Sequence, residues 1–378
     1  MAFVKKTRYL LAPPYCKSVE TFISPILCSS SEVFGGSRLA GGWRYFYNLR
    51  VIQKKNNSYI EVQMPIKELL NIAKSHDKSC YTKAEFQIEK LVNNRYSFST
   101  LDMSKPHLMG VINLTPDSFY KRAQNTNFNK LYKNINAMIN NGASIIDIGG
   151  ESTRPGAEKV SVAEEKERLF EPINKIINCK LKTLISLDSR NLSTMKLCHK
   201  IGVDVFNDIT AFKERKKIEF IVKTSSPIII MHMQKDPTNM QINPKYHFAP
   251  IDIYKFFLKK ITDLIKAGVN KSNIVVDPGI GFGKTLSDNL NILEYLPLFH
   301  SLGVPILIGV SRKSFIGEIT TDDYKSRGKN KKIINPSKRL SGSLAFAIHA
   351  YMSGVQILRT HDVFETNQAL ICQKALNL

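Results

Sequence analysis

Leu108-Met109-Gly110-Val111-Ile112-Asn113, Ser144-Ile145-Ile146-Asp147-Ile148-Gly149 and Thr183-Leu184-Ile185-Ser186-Leu187-Asp188 decide the fold. Each is a short apolar run that ends in a small or polar residue and is followed by an amphipathic stretch. Continuous apolar runs suit parallel strands covered on both faces, and a strand followed by helical spacing is a βα unit. The same grammar recurs at Val205–Asp208, Pro227–His232, Ile274–Asp277, Ile306–Gly309 and Val355–Thr360, which makes eight runs after Pro106. Eight such units in a stretch close to the ~250 residues of a (β/α)8 TIM barrel predict that fold, with a doubly wound open sheet as the competing arrangement.

The runs end in residues that a core would not choose: Asn113, Asp147 with Glu151, Asp188, Asn207 with Asp208, His232, Asp277, Arg312 with Lys313, and Arg359 with His361. A barrel gathers the C-terminal ends of its strands on one face, where barrel enzymes keep their active sites. A single Asp or Asn at such a place is as easily a helix cap. Capping does not account for the Arg, Lys and His endings.

The chain has 378 residues, more than one barrel needs. Residues 1–105 carry a hairpin pattern, Tyr45–Val51 and Tyr59–Gln63 across Lys54-Lys55-Asn56-Asn57, then helical patterns at Pro65–Lys74 and Ala84–Val92. The expected architecture is therefore α/β: a (β/α)8 barrel over 106–378 with a small N-terminal α+β extension over 1–105, to which no role is assigned.

Composition narrows the function classes. Lys and Arg number 54 against 32 Asp and Glu, a net charge of +22, which raises nucleic acid, an acidic membrane surface and anionic small molecules as partners. The excess is spread along the chain. Its densest stretch, Lys325, Arg327, Lys329, Lys331, Lys332, Lys338 and Arg339, has only Tyr324 as an interleaved aromatic, so it reads as a solvated loop and no nucleic-acid partner is expected. Six cysteines without C-x-x-C spacing argue against a disulfide framework or zinc site and fit a reducing compartment. No apolar run approaches the ~18 residues of a membrane span. Lys5, Lys6 and Arg8 superficially suggest an organelle transit peptide, but Pro13-Pro14 and the short apolar core suit one poorly, so a cytoplasmic location is expected.

Pro278-Gly279-Ile280-Gly281-Phe282-Gly283-Lys284-Thr285 falls one residue short of the phosphate loop G-x-x-x-x-G-K-[ST]. Proline at its first position removes a backbone donor and the freedom of the first glycine. The glycines are better read as letting the backbone turn closely around a ligand beside Asp277.

Three blocks together, Met109–Phe119 (MGVINLTPDSF), Asp147–Gly156 (DIGGESTRPG) and Asp277–Lys284 (DPGIGFGK), resemble the dihydropteroate synthase family. Shorter stretches extend the resemblance in order over about 106–372: Ser186–Asp188, Asn207-Asp208, Met231–Gln234, Gly309–Lys313 and Arg359–Val363. It implies a barrel enzyme that joins 6-hydroxymethyl-7,8-dihydropterin diphosphate to p-aminobenzoate, giving dihydropteroate and diphosphate. A pterin presents amino and ring N–H donors beside a carbonyl, so its pocket needs carboxylate or amide acceptors and one cationic donor. Asp188, Asn207, Asp277 and Lys313 are of those types, and by resemblance they are the pterin-binding set. Arg359 and His361 suit the departing diphosphate, and Asn113 suits a magnesium ion that keeps water and diphosphate oxygens. The resemblance puts p-aminobenzoate at Thr153, Arg154, Pro155 and Ser314, with Phe282 against its ring; a helix start is a natural carboxylate site. It further implies small-molecule partners only, a homodimer, and sulfonamides as competitors of p-aminobenzoate.

Two departures stand out. After Asp-Ser-Phe the family usually continues Ser-Asp-Gly-Gly, where this chain has Tyr120-Lys121-Arg122-Ala123, so loop closure through Lys121 or Arg122 with Asp117 as the remaining acid is expected. Asp208-Ile209-Thr210-Ala211 lacks the usual Ser-Gly. A methyltetrahydrofolate-binding methyltransferase would share the pterin acceptors but has no need of Glu151–Gly156, Lys313 or the Arg359/His361 pair. A weakened pterin-binding protein and a basic nucleic-acid binder are the rival hypotheses from other classes.

Overall fold

The computed structural model describes residues 4–29, 35–114, 124–151, 160–327 and 333–376. In the N-terminal part β1 (Val4–Lys6), β2 (Thr21–Cys28), β3 (Ser37–Arg38), β4 (Tyr45–Lys55) and β5 (Ser58–Pro65) form one mixed sheet in the order β1-β5-β4-β2, with β3 also on β4. The β4–β5 hairpin pairs Lys55 with Ser58 across a two-residue turn in which Asn56 takes φ 51°, a conformation that Asn tolerates. The helices α1 (Ile66–His76) and α2 (Lys78–Val92) follow, and Asp77 caps α2 by accepting the Cys80 N–H at 2.8 Å.

The barrel strands are β6 (His107–Asn113), β7 (Ala143–Gly149), β8 (Leu184–Asp188), β9 (Val205–Asp208), β10 (Ile228–Met231), β11 (Ile274–Asp277), β12 (Leu307–Gly309) and β13 (Ile357–Thr360). All pairings are parallel, in the order β11-β10-β9-β8-β7-β6-β13-β12, and a bridge between Val276 and Ile306 brings the two ends of the row together. The outer helices include α3 (Gln124–Asn140), α4 (Val162–Asn178), α5 (Leu192–Lys200), α6 (Arg215–Thr224), α7 (Ala249–Lys266), α8 (Leu286–Glu294), α9 (Ser314–Ser326), α10 (Leu340–Met352) and α11 (Val363–Ala375). The eight apolar runs are thus the eight barrel strands, and the open-sheet arrangement is excluded.

Alternation along these strands builds the interior. Met109, Ile145, Leu184, Val205, Ile229, Val275, Leu307 and Ile357, one from each strand, form a buried cluster. Two residues further along each strand, the same inward parity delivers Val111, Asp147, Ser186, Asn207, Met231, Asp277, Gly309 and Arg359. The lower layer is apolar and the upper one is mostly polar, so the barrel is filled at its base and chemically equipped at its C-terminal rim.

The base is closed from outside the eight strands. Phe98 and Met103, both fully buried, pack onto the Met109 layer across a tight turn in which Phe98 and Leu101 pair. The sheet adds contacts on the flank. Phe22 meets Tyr254 edge-on at 5.8 Å, Trp43 stacks on Tyr351 at 5.2 Å, and the Tyr295 hydroxyl donates to Glu61 at 2.8 Å. Phe22, Ile52 and Tyr59 belong to the same core as the barrel's outer wall, while β4, β5, α1 and α2 keep an apolar cluster of their own around Leu49, Val51 and Leu69.

Candidate active site

Asp147 is the hub of the rim. It is fully buried and accepts three hydrogen bonds: from Ser186 Oγ at 2.6 Å on one oxygen, and from Arg359 Nε at 2.7 Å and Asn207 Nδ2 at 3.1 Å on the other. Arg359 also donates through a terminal nitrogen to Asp188 at 3.0 Å. One guanidinium thus joins β7 and β8 to β13, and two carboxylates meet it in a site shielded from water, where charge-assisted bonds are strongest. Burial acts to lower the Arg359 pKa, but Asp147 and Asp188 more than offset it and the pKa rises. For Asp188, burial and then the neighbouring Asp147 charge push the carboxyl up, against the pull of Arg359.

The amide of Asn207 gives its nitrogen to Asp147, which leaves its oxygen as an acceptor. Asp188 has one oxygen on Arg359, and its other oxygen has no partner among the described residues. Asp277 accepts the Gly279 N–H at 2.8 Å, and burial raises its pKa while that bond and Lys313 lower it. Gly149 ends β7 against this group: a Cβ there would make ordinary contacts, 3.4 Å from Asp188 Cβ and 3.7 Å from Asn113 Oδ1.

Lys313 comes from the turn after β12 and is the N-cap residue of α9, so Ser314 opens that helix, exposed, as its place in the sequence predicts. The Lys313 ammonium sits 4.0 Å from the Phe282 ring centre, a cation–π contact. Gly281, at φ 80°, lets the lysine stem pass; a Cβ there would stand 3.2 Å from Lys313 Cδ. Burial brings the Lys313 pKa down to about 7, with Asp277 pulling the other way. His361 follows β13 and shares a 3.0 Å hydrogen bond between its Nδ1 and Ser311 Oγ, while Arg312 holds Asp362 through two bonds, one of 3.0 Å.

Asn113, Asp188, Asn207, Asp277, Phe282, Lys313, Ser314, Arg359 and His361 therefore lie at or just beyond the same ends of the barrel strands. Thr153, Arg154 and Pro155 lie outside the described residues, as do Asp117, Lys121 and Arg122. Sequence reasoning named Asp147 as a strand ending without giving it a role; inward parity with Ile145 would have found it. It also passed over Glu165 on α4, which ties the turn after β8 by accepting from Ser189 at 2.7 Å, Asn191 at 2.8 Å and Thr194 at 2.6 Å. Arg190 pairs with Glu151 at 2.8 Å beside that turn. At the departure after β9, Ala211 adopts φ 53° where the family usually has glycine, and Asp208 holds the turn by accepting the Thr210 N–H at 2.8 Å and the buried Lys217 ammonium at 3.0 Å.

The closed parallel barrel with converging acceptors and cations at its C-terminal rim makes this protein a TIM-barrel enzyme. A family model described as "Pterin binding enzyme" matches residues 109–361. The chain is 41% identical over 272 residues to dihydropteroate synthase of Escherichia coli K12, covering 72% of this chain and 92% of that one, and 36% identical over 272 residues to that of Synechocystis. Among solved structures it resembles the Yersinia pestis enzyme in a sulfonamide complex (TM-score 0.65, 36% identity, 73% of this chain and 96% of that one). It also resembles the Xanthomonas albilineans enzyme in complex with 7,8-dihydropteroate (TM-score 0.63, 30% identity, 75% and 98%). The chain belongs to the dihydropteroate synthase family of pterin-binding enzymes.

Proposed function

We propose that this chain condenses 6-hydroxymethyl-7,8-dihydropterin diphosphate with p-aminobenzoate to 7,8-dihydropteroate, releasing diphosphate, as a step of folate biosynthesis. The observation that carries the reading is the set of acceptor oxygens on Asp188, Asn207 and Asp277 left without a bond among the described residues, on the same rim as the Lys313 ammonium. Those acceptors match the amino and ring N–H groups of a pterin, and Lys313 matches its carbonyl. Asp147 touches none of the substrate in this reading; it fixes the Asn207 amide and the Arg359 guanidinium.

Departure of diphosphate leaves positive charge on the exocyclic carbon, so the residues have to stabilise the leaving anion and orient the amine. Arg359 and His361 are placed at the last strand end for the first task. Because Arg359 already bonds two carboxylates, it supplies a rigid, preorganised positive edge rather than a mobile one. The amine of p-aminobenzoate is itself the nucleophile, so no side chain has to form a covalent bond; its carboxylate is assigned to Ser314 at the start of α9 and to Arg154, and its ring to Phe282. Magnesium suits this site as an ion carried by diphosphate and water. Asn113 offers one neutral oxygen there, and among the described residues the one trio of ligand-type side chains within reach of a common ion, His76, Asp77 and Cys80, stands apart at the α1–α2 junction. Bound so, the ion would neutralise diphosphate charge.

A cytoplasmic homodimer completes the reading. It is supported by Phe364 and Ile371, which α11 leaves 54% and 60% exposed, and no helix among the described residues is long and apolar enough to cross a membrane. The test is to incubate the protein with dihydropterin diphosphate, p-aminobenzoate and magnesium and to measure diphosphate. Release that requires both substrates is expected; bound pterin with no release would overturn the reading.

A further inference from the structure

Lys284 takes no part in the chemistry above, yet only 3% of it is exposed. It ends the glycine-rich turn after β11, immediately before Thr285, whose hydroxyl caps α8. An ammonium has three N–H donors, and Lys284 Nζ meets three acceptors: the Phe282 carbonyl at 2.9 Å, the His232 carbonyl at 3.2 Å and His232 Nδ1 at 3.2 Å. Burial, with Lys284 beside it, keeps His232 well below the usual histidine range, so its ring is neutral; burial also brings Lys284 down to about 7, and in its ammonium form Lys284 donates to Nδ1. His232 follows β10 and Phe282 follows β11, so a single side chain ties two neighbouring strand ends together.

The same turn is held at further points. Asn289 accepts the Gly281 N–H at 2.7 Å, Gln241 donates to the Gly281 carbonyl at 2.7 Å, and the Tyr246 hydroxyl donates to the Gly283 carbonyl at 2.8 Å. Contact with β10 is close: a Cβ on Gly279 would fall 2.1 Å from the His232 carbonyl oxygen. The turn also carries the Phe282 ring, which lies under Lys313 and packs with Ile209, Met231 and Met240. Of the pterin acceptors, Asp188 and Asn207 stand on β8 and β9 and are fixed by Arg359 and Asp147 rather than by Lys284, while the third, Asp277, ends β11 and takes the Gly279 N–H of this turn at 2.8 Å.

We propose that Lys284 is a positioning residue for the p-aminobenzoate side of the site: by bonding the Phe282 carbonyl and both acceptors of His232, it sets where the Phe282 ring stands. The inference rests on the functional reading above. Removing the ammonium frees the turn and lets the ring drift, which weakens capture of the aromatic amine more than it disturbs the pterin side, where Asp188 and Asn207 are held independently of the turn.

Lys284→Met keeps the length of the stem and removes the three donors. With diphosphate release measured against each substrate in turn, KM for p-aminobenzoate should rise about tenfold or more, while KM for the pterin diphosphate and kcat stay within about threefold. Tyr246→Phe loosens the same turn at its edge without leaving a buried charge site empty. It should raise KM for p-aminobenzoate alone, by about two- to threefold, and it decides the matter if Lys284→Met does not fold. Equal movement of both KM values, or an unchanged p-aminobenzoate KM, overturns the role of Lys284 in an enzyme that remains active. A wild-type chain that releases no diphosphate refutes the functional reading itself, and the inference with it.

Discussion

Replacing Asp147 by Asn keeps the shape of the hub and removes its charge. Arg359 then keeps one carboxylate, Asp188 at 3.0 Å, and the amide can hold its oxygen on the Arg359 and Asn207 donors only by turning its NH2 toward Ser186, whose hydroxyl must then accept instead of donate. Removing one partner of a buried ion pair usually costs about 3–5 kcal/mol. Because Asp188 remains and the Arg359 side chain keeps 19% exposure, roughly 2–3 kcal/mol is the expected loss of transition-state stabilisation. That corresponds to a fall in kcat/KM of about 30- to 150-fold. Diphosphate release measured at limiting substrate gives that ratio, and a urea titration gives the accompanying drop in unfolding midpoint. A second signature follows from Asp188, whose carboxyl is pushed up first by burial and next by the Asp147 charge. Neutralising Asp147 lets Asp188 ionise at lower pH, so the acid limb of the pH–rate profile should move toward lower pH. If Asp147→Asn turns over within about twofold of the wild type, with an unmoved acid limb, then Asp147 does not organise the rim.

Lys313, brought down to about 7 by burial, donates a charge-assisted bond to a pterin carbonyl only when protonated, so pterin affinity should fall as pH rises through that value. The pH dependence should flatten in Lys313→Met, and a wild-type Kd that stays constant between about pH 6 and pH 9 refutes the assignment. For stability the sign is opposite: the unfolded lysine holds its proton to about pH 10.4, so this group's burial penalty fades as pH rises from about 7 toward 10. A chain beginning at Pro106 loses Phe98 and Met103, each worth about 1.5–3 kcal/mol of burial, and opens the Met109 layer to water. It should fail to unfold cooperatively in denaturant; a sharp transition at the full-length midpoint would refute a structural role for that segment. Ala211→Gly relieves a left-handed alanine and should raise stability by up to about 1 kcal/mol, read as an increased urea midpoint, and a lowered midpoint would refute the strain.

The barrel was legible because its strands are apolar on both faces, and each run could be seen without knowing its neighbours. The hairpin β4–β5 and helices α1 and α2 were legible for similar local reasons. β2 was not: Thr21–Cys28 carries Pro25 in its middle, which argues against a strand until the sheet order shows that β2 lies at an edge, where a missing N–H is tolerated. In the site, residue types and places were readable from strand endings, whereas partnerships were not. Arg359 reads as a free cation for an anion; its commitment to Asp147 and Asp188 joins residues far apart in sequence and depends on barrel closure. Lys284 reads as part of a failed phosphate loop, and only burial against His232 gives it another role.

The Met109 layer takes one residue from each of eight strands, the last of them Ile357, and so it cannot be completed until that strand has been made. The N-terminal sheet, whose own cluster needs nothing beyond Leu91, can pack as soon as it leaves the ribosome. Phe98 and Met103 emerge next and wait, apolar and uncovered, until β13 has been made. A nascent barrel therefore keeps apolar surface exposed until its eighth strand is made, the condition under which association between unfinished chains competes with folding.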